Sequence, residues 1–434
     1  MNESFDSNKH EETLPTLETI LNGEIAARWS SPILPKNDPV LTPNHPTYEF
    51  SSPKVDVGKY TFKSSSSTAI PHEDSSFCDD SVQKTRNSVK CDLCPKNCVI
   101  EENNVGFCSS RINRGGRLLA RFYGRPTSIA VDPIEKKPLF HFLPGTKILS
   151  LGTQGCNLAC KFCQNWQISR PLAADSTIQR VLEPRRVVDL ALENNCPSVA
   201  FTYNEPTVWA EYVVDTAQLC KKNGIKTVVV TNGMIVGQAR KEFYENIDAA
   251  NVDLKGFTSV FYSKLVNGSL DAVKDTLEYI VKETNVWLEI TNLLIPTKND
   301  SPEEIEKLCR WIADALGHDI PLHFSAFFPT WRLTDVPLTP AQTLQQASKI
   351  AKQSGISYVY CGNIPDPESQ KTLCPNCGSV LVERHKYIAR VMPTLGVVPL
   401  NSNGGVQSEP QKDRRSNSSA RYCQNCGMKI SGIY

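Results

Sequence analysis

Seven short apolar segments recur along the middle of the chain, and each gap between them shows helical periodicity or leaves room for a helix. Apolar runs of this length indicate buried strands, here KILSLGT (147–153), SVAFTY (198–203), KTVVVTNG (226–233), NVDLKG (251–256), WLEITNLLIP (287–296), PLHFSAFF (321–328) and YVYCGN (358–363). Repeated strand–helix units favour a parallel sheet with right-handed crossovers. They predict an α/β fold, a partial (β/α)6-type TIM barrel over residues 146–368, with a doubly wound open sheet as the alternative.

The helical stretches carry local signals of their own. In SPEEIEKLCRWIADALG, Ser301 suits an N-cap, Pro302 suits the first turn, and Glu304 is placed for a capping box. Cys220 and Cys309 fall within helical patterns, so we predict that they are small buried apolar residues rather than ligands.

The flanking regions differ in composition from the barrel. Residues 1–87 are rich in Ser, Pro, Asn, Asp and Glu, so they are predicted to be disordered apart from a transient helix in LETILNGEIAARW, which is a candidate docking element. Residues 88–145 are predicted to form an N-terminal four-cysteine element and a lead-in. Residues 369–434 are predicted to form a zinc-ribbon-like element with a flexible insert at 393–420.

Charge and hydrophobicity exclude several classes of protein. Lys+Arg and Asp+Glu number 47 and 46, which gives no reason to expect nucleic acid or an anionic membrane as a partner. No apolar run is long enough to cross a bilayer, and the N-terminus resembles neither a signal peptide nor a transit peptide. We therefore expect a cytoplasmic protein, in which the 16 cysteines act mainly as metal ligands or catalytic groups.

Polar residues collect where the predicted strands end. Active residues of parallel α/β folds lie at the carboxyl ends of the strands, and here those positions hold Asn204, Glu205, Thr231, Asn232, Asp253, Lys255 and Asn363. Thr291, Asn292 and His323 lie within strands and are candidates for the same mouth. His323 is equally well explained as a core histidine with a hydrogen-bond partner.

The segment GCNLACKFCQNW follows the first strand and places Cys156, Cys160 and Cys163 within eight positions. Thiolates select soft metals and Fe–S clusters, and a [4Fe–4S] cluster usually takes four of them. Three thiolates leave one iron open for another ligand, as a catalytic site requires. The alternatives are a chance trio and a zinc site completed by a distant histidine.

This spacing, with Phe162 before the last cysteine, resembles the signature of radical S-adenosylmethionine (SAM) enzymes. The segments FTYNEPTVWAEY, VVVTNGM, NVDLKGF, LEITNLLIPTKNDS and YVYCGNI resemble the AmmeMemoRadiSam radical SAM proteins, relatives of pyruvate formate-lyase activating enzymes, over roughly residues 88–434. The resemblance implies cleavage of SAM at a [4Fe–4S] cluster to a 5′-deoxyadenosyl radical, which abstracts hydrogen from a protein or peptide. It also implies a flavodoxin-like or ferredoxin-like electron donor, with MEMO-type and Ammecr-type proteins as candidate partners.

Two other functions stay open. One is radical SAM modification of a small molecule or RNA. The other is a zinc-rich scaffold without catalysis.

By the same resemblance, individual residues receive roles. Cys156, Cys160 and Cys163 are expected to hold the cluster, Phe162 to pack near the adenine, and Glu205 to receive the SAM amino group. Tyr203 and Asn204 stand where the activating enzymes have two glycines. The remaining expected cofactor contacts are Asn204, Thr231, Asn232, Asp253, Lys255 and His323, although Asn232 also suits a simple turn and Asp253 with Lys255 a structural ion pair.

Two further cysteine sets have metal-ligand spacing. CPNCG and CQNCG supply Cys374, Cys377, Cys423 and Cys426, the four-cysteine set of a structural zinc site. The second set comprises Cys91, Cys94, Cys98 and Cys108, whose spacing differs from that of bacterial ferredoxins. We favour zinc there, with an auxiliary Fe–S cluster as the alternative.

Overall fold

The structure is a computed structural model that describes residues 14–33, 87–170, 181–397 and 420–434. It contains the predicted sheet of parallel strands, preceded and followed along the chain by small antiparallel β elements. Within the described residues, no helix has both the length and the apolar character needed to span a membrane.

In its described residues, the N-terminal element contains one short helix and two small antiparallel sheets. The helix begins after Thr16, whose hydroxyl accepts from the Thr19 N–H at 3.3 Å, and ends at Gly23 with a φ of +70°. The elements are α1 (Leu17–Asn22), a sheet of β1 (Ser30–Pro32), β2 (Val89–Cys91) and β3 (Val99–Ile100), and a hairpin of β4 (Arg111–Arg114) and β5 (Arg117–Ala120).

Residues 14–33 are ordered, and their helix lies in LETILNGEIAARW, the segment excepted from the disorder predicted for residues 1–87. Ile20 and Trp29 are buried, and the Arg28 guanidinium lies 2.5 Å from the Asp215 carboxylate. The composition of residues 1–87 as a whole is polar, so it did not indicate the short apolar segment within them. A segment this short is stabilised by contact with the rest of the fold. Residues 1–13 and 34–86 lie outside the described part of the chain.

One eight-stranded sheet forms the central domain, with its strands in chain order. The seven parallel strands coincide with the seven apolar segments, which confirms the predicted α/β fold. The first strand is antiparallel and was not predicted, because as an edge strand it buries only part of one face. The strands are β6 (Ser128–Pro133), β7 (Lys147–Gly152), β8 (Ser198–Phe201), β9 (Lys226–Thr231), β10 (Ala249–Asp253), β11 (Trp287–Leu294), β12 (Leu322–Ala326) and β13 (Val359–Gly362).

Helices connect the parallel strands. Ser301 caps its helix as predicted, accepting from the Glu304 N–H at 3.2 Å, whereas the Glu304 carboxylate accepts from the Phe257 N–H at 2.7 Å. Cys220 and Cys309 are fully buried in helices, also as predicted. The helices are α2 (Trp166–Ser169), α3 (Pro184–Glu193), α4 (Ala210–Lys222), α5 (Gly237–Glu245), α6 (Ser259–Phe261), α7 (Leu270–Glu283), α8 (Pro302–Ala315) and α9 (Ala341–Gln353), with 3₁₀ turns at Ile134–Lys136, Pro206–Trp209 and Glu368–Gln370 and a π turn at Tyr262–Val266.

The C-terminal element contains two further antiparallel sheets. They are formed by β14 (Thr372–Leu373), β15 (Val380–His385) and β16 (Ile388–Val391), and by β17 (Leu395–Gly396), β18 (Arg421–Cys423) and β19 (Lys429–Ile430). Since β17 pairs with β18, the start of the predicted flexible insert belongs to this element. Residues 398–419 lie outside the described residues.

Candidate active site and metal centres

A cavity of about 260 Å³ opens at the carboxyl ends of the parallel strands. Its wall combines the cysteines of the 155–163 loop, which follows β7, with polar side chains from the ends of β8 to β13. The predicted residues that line it are Cys156, Cys160, Phe162, Cys163, Asn204, Glu205, Asn232, Asp253, Lys255, Thr291 and Asn363. Most of the predicted site residues therefore line one cavity, because the parallel strands end at the same edge of the sheet.

The 155–163 loop is held at both ends. The Asn204 side chain accepts from the Thr153 N–H at 3.1 Å and donates to the Gly155 carbonyl at 2.8 Å. Farther along, two N–H groups of the loop donate to carbonyls of residues 265 and 266, at 2.9 and 2.8 Å. Asn204 thus fixes the start of the cysteine loop in addition to lining the cavity.

Cys156 and Cys160 are half-buried, and their sulfur atoms lie in a poorly solvated environment. Burial raises the pKa of Cys160 to about 12, against the opposing charge of Lys255, and raises the pKa of Cys156 well above its ordinary value. Poorly solvated thiolates are stabilised by a nearby cation, and a bound metal supplies one.

The three sulfurs are also spread apart. Among the described residues, Cys156, Cys160 and Cys163 do not form a group whose ligand atoms all lie within 4.8 Å of one another. A polynuclear cluster fits this spread because each thiolate binds a different metal ion, whereas a single ion draws its thiolates together. The residues present therefore fit an Fe–S cluster.

Glu205 is buried and accepts three hydrogen bonds. Its Oε1 accepts from the Thr207 N–H (2.9 Å) and the Thr231 hydroxyl (2.6 Å), and its Oε2 accepts from the Asn232 N–H (2.8 Å). Burial raises the pKa of Glu205, and these donors oppose the shift. A carboxylate held in one orientation at the cavity wall suits an ammonium group.

Thr231 and Asn232 act mainly on their neighbours. Thr231 donates to Glu205 and is not among the residues that line the cavity in the described chain. Asn232 lines the cavity, but its Oδ1 accepts from the Met234 N–H at 2.9 Å and its Nδ2 donates to Asn157 Oδ1 at 2.8 Å. Asn232 therefore makes the hydrogen bonds of a turn, and the same turn orients Glu205.

Asp253 and Lys255 form an ion pair on the cavity wall, with 2.8 Å between Nζ and Oδ2. Burial lowers the pKa of Lys255, but the charges of Asp253 and Cys160 outweigh it and raise the pKa above the ordinary value. Lys255 is therefore a fixed positive charge beside the cysteine loop. Phe162 is buried at the same wall, with its ring centroid 6.1 Å from that of Phe261.

His323 is a predicted cofactor contact that is not among the described residues lining the cavity. Its Nε2 lies 2.6 Å from Glu289 Oε2, and its ring stacks on Tyr360 at 5.1 Å. Side chains on one face of a strand recur every second residue, so His323 lies one layer deeper in the barrel than Ser325, which lines the cavity. These contacts, and its absence from the described cavity lining, support the interpretation of His323 as a core histidine with a carboxylate partner.

Asp132 and Lys137 were not predicted, and they stabilise an unusual backbone at Tyr203. Tyr203 has a φ of +72°, a conformation that costs a residue with a side chain about 1–2 kcal/mol. Its hydroxyl donates to Asp132 Oδ2 at 2.7 Å, and the Lys137 ammonium donates to the same oxygen at 2.7 Å. The glycine expected at position 203 was the available signal that the backbone there is left-handed.

The C-terminal cysteines form a compact group. All four sulfurs lie within 4.8 Å of one another, with 3.5 Å between Cys374 and Cys426 and 3.6 Å between Cys377 and Cys423. A tetrahedral ion with metal–sulfur bonds of about 2.3 Å separates its thiolates by about 3.8 Å. The arrangement therefore fits one metal ion.

The N-terminal cysteines form an open group. Cys91, Cys94, Cys98 and Cys108 line one cavity, together with Arg111 and Asn157. No three of these four sulfurs form a group within 4.8 Å in the described part of the chain. In this respect the N-terminal set resembles the three-cysteine loop and differs from the C-terminal set.

Comparison with known proteins agrees with this arrangement. A family model described as the radical SAM superfamily matches residues 150–312. An uncharacterized protein of Methanocaldococcus jannaschii is 42% identical over 306 residues, which cover 70% of this chain and 90% of that protein. The pyruvate formate-lyase-activating enzyme of Clostridium pasteurianum is 28% identical over 164 residues, 37% of this chain and 66% of the enzyme.

A solved structure also matches part of the chain. A domain of a pyruvate formate-lyase-activating enzyme from Bacteroides vulgatus is 18% identical, with a TM-score of 0.34, and the match covers 38% of this chain and 98% of that domain.

Proposed function

This chain belongs to the radical SAM superfamily, and from that membership we propose that it is an enzyme that removes a hydrogen atom from a protein or peptide partner. The observation that carries the proposal is one cavity in which Cys156, Cys160 and Cys163 face the buried carboxylate of Glu205. Three soft ligands and an ammonium acceptor at the carboxyl ends of parallel strands are what SAM chemistry at an Fe–S cluster requires.

Cys156, Cys160 and Cys163 are the proposed ligands of a [4Fe–4S] cluster. When bound, that cluster supplies the electron that cleaves SAM to methionine and the hydrogen-abstracting 5′-deoxyadenosyl radical. Lys255, 2.8 Å from Asp253, adds a fixed positive charge that offsets part of the negative charge of the three thiolates.

The proposed SAM contacts follow from charge and position. Glu205 is the acceptor for the SAM amino group, because it is an oriented carboxylate at the wall of the cavity. Phe162 offers an apolar surface for the adenine. Thr231 and Asn232 hold Glu205 in place, and Asn204 holds the cysteine loop.

A macromolecular substrate is proposed from the relatives. Two of the similar proteins are activating enzymes of pyruvate formate-lyase, from Clostridium pasteurianum and Escherichia coli. The electron donor would then be a flavodoxin-like or ferredoxin-like protein, and MEMO-type and Ammecr-type proteins are the first partners to test.

The C-terminal cysteines have a separate role in the proposal. We assign structural zinc to Cys374, Cys377, Cys423 and Cys426, as in a zinc ribbon, because all four sulfurs are held within single-ion distance.

The test is anaerobic reconstitution with iron and sulfide, reduction, addition of SAM, and quantification of 5′-deoxyadenosine. Wild-type protein is expected to form it, and Cys163→Ala is not. Transfer of deuterium from a labelled partner protein into 5′-deoxyadenosine would then identify the substrate. Zinc in place of iron at the three-cysteine loop, with no deoxyadenosine, would contradict the proposal and favour a scaffold.

A further inference from the structure

We propose that Cys91, Cys94, Cys98 and Cys108 hold a second Fe–S cluster, with four cysteine ligands, instead of zinc. This cluster is additional to the one in the proposed function, and its assignment rests on the geometry of its own ligands.

The first argument is the separation of the sulfur atoms. The same chain contains an internal reference for a single-ion site, since the four C-terminal sulfurs all lie within 4.8 Å of one another. The N-terminal sulfurs are farther apart and surround a cavity, although the described structure includes all four. A polynuclear cluster keeps its thiolates apart because each one binds a different iron. The difference between the two sets in one structure therefore favours a cluster at the N-terminal set.

The second argument is a buried cation beside the same cavity. Arg111 is 1% exposed and lines the cavity. Its Nη1 lies 2.7 Å from Glu211 Oε2, but Nε and Nη2 have no hydrogen-bond partner among the described residues. A buried guanidinium with unsatisfied donors is costly. The inorganic sulfides and thiolates of an anionic cluster would supply the missing acceptors.

The location gives the second cluster a direct connection to the active-site loop. Asn157, which follows Cys156, lines the N-terminal cavity. The Ser110 hydroxyl donates to the Gln154 carbonyl at 3.1 Å, and the Arg170 guanidinium donates to carbonyls of both Phe107 and the loop. The N-terminal ligands and the three-cysteine loop therefore pack against each other.

The test separates the two clusters by removing the first. The variant Cys156→Ala/Cys160→Ala/Cys163→Ala is purified anaerobically, reconstituted with ferrous iron and sulfide, and analysed for iron, acid-labile sulfide and zinc. We expect equal amounts of iron and sulfide, and about one zinc per chain from the C-terminal set. The reduced variant should show an EPR signal that SAM does not change, because four cysteines leave no open iron. About two zinc ions per chain and no iron would overturn the proposal.

A second variant assigns the iron to its ligands. Adding Cys94→Ala and Cys98→Ala to the triple variant should abolish the remaining iron and sulfide and leave the zinc unchanged. Iron that persists at an unchanged level would place the cluster elsewhere and overturn the assignment.

The outcome is independent of the proposed function. If the triple variant holds a cluster but wild-type protein forms no deoxyadenosine, the proposed function fails and the second cluster stands. If wild-type protein forms deoxyadenosine and the triple variant holds only zinc, the proposed function stands and the second cluster fails.

Discussion

At the scale of single residues, Glu205 is a buried carboxylate at the wall of the cavity. Three donors orient its carboxylate. Replacement by glutamine keeps the volume and removes the charge, and its NH2 group cannot accept from the donors that faced that oxygen. Loss of a charge-assisted hydrogen bond costs about 1.5–3 kcal/mol. We expect Glu205→Gln to weaken SAM binding by about 10-fold to 100-fold, as measured by anaerobic equilibrium dialysis of the reconstituted protein.

The matched control is Glu193→Gln, since Glu193 is an exposed acid that pairs with Arg186; its SAM affinity should equal that of the wild type. The pH dependence supplies a second readout. Because burial raises the pKa of Glu205, its ionised fraction starts to fall at a higher pH than for an exposed glutamate. Wild-type affinity for SAM should therefore weaken on acidification, and that of Glu205→Gln should change less. Equal affinities of the variant and the wild type would contradict the assigned role.

Gly155 is the second residue with a specific prediction. Its φ is +91°, and a Cβ there would overlap the Cys108 carbonyl oxygen. We expect Gly155→Ala to displace the cysteine loop, with loss of most of the iron bound at that loop and a lower melting temperature. Gly224→Ala is the control, because Gly224 also has a positive φ of +70° but no atom lies within 4 Å of the added Cβ. Equal effects of the two substitutions would show that close packing at Gly155 is unimportant.

At the scale of elements, the edge strand β6 contacts the candidate active site through Tyr203, which lines the cavity. Asp132 on this strand binds Lys136, Lys137 and Tyr203. Although burial raises the pKa of Asp132, the hydrogen bonds from these three partners hold it below its usual range. The stability that this carboxylate contributes is therefore present at neutral pH and is lost only as the pH falls below about 4.

The prediction for β6 compares removal of the Asp132 carboxylate with removal of Lys136, the exposed one of its two lysine partners. Lys137 is 2% exposed, so Asp132→Asn leaves a buried positive charge without its partner. We expect a loss of about 3 kcal/mol in the free energy of unfolding in urea. Lys136→Met is expected to change it by less than about 0.5 kcal/mol, because the Lys136 side chain is 47% exposed. A similar small change in both variants would contradict the role of the buried pair.

Prediction at this scale succeeded where the pattern was local. The seven parallel strands are buried on both faces, so each reads as a continuous apolar run. The strand β6 and the two-residue strands around the cysteines have no such run, and their pairing depends on residues far apart in the chain.

At the scale of the whole molecule, the C-terminal element is joined to the segment between β6 and β7. The Arg384 guanidinium donates to the Phe140 carbonyl and the Thr372 hydroxyl. His141, next to Phe140, contacts the last turn of the chain through the Ser431 carbonyl at 2.7 Å. A change in the four-cysteine element should therefore be transmitted to the barrel.

Removal of the C-terminal metal tests this connection. We expect Cys374→Ala to lower the melting temperature of the zinc-loaded protein by about 5 °C or more, in a single transition followed by circular dichroism. Cys309→Ala is the control, because Cys309 is equally buried but lies in α8, away from the three cysteine sets. An unchanged main transition in Cys374→Ala would mean that the element unfolds independently.

The sequence by itself determined the parallel α/β fold, the end of the sheet at which polar residues gather, and the three cysteine sets. The reason is that strand periodicity, strand polarity and ligand spacing are local properties. Only the tertiary structure decided that His323 binds Glu289 below the cavity, that residues 14–33 pack on the barrel, and that one four-cysteine set is compact and the other open. Each of these depends on the distance between side chains that are remote in sequence, and no local pattern encodes that distance.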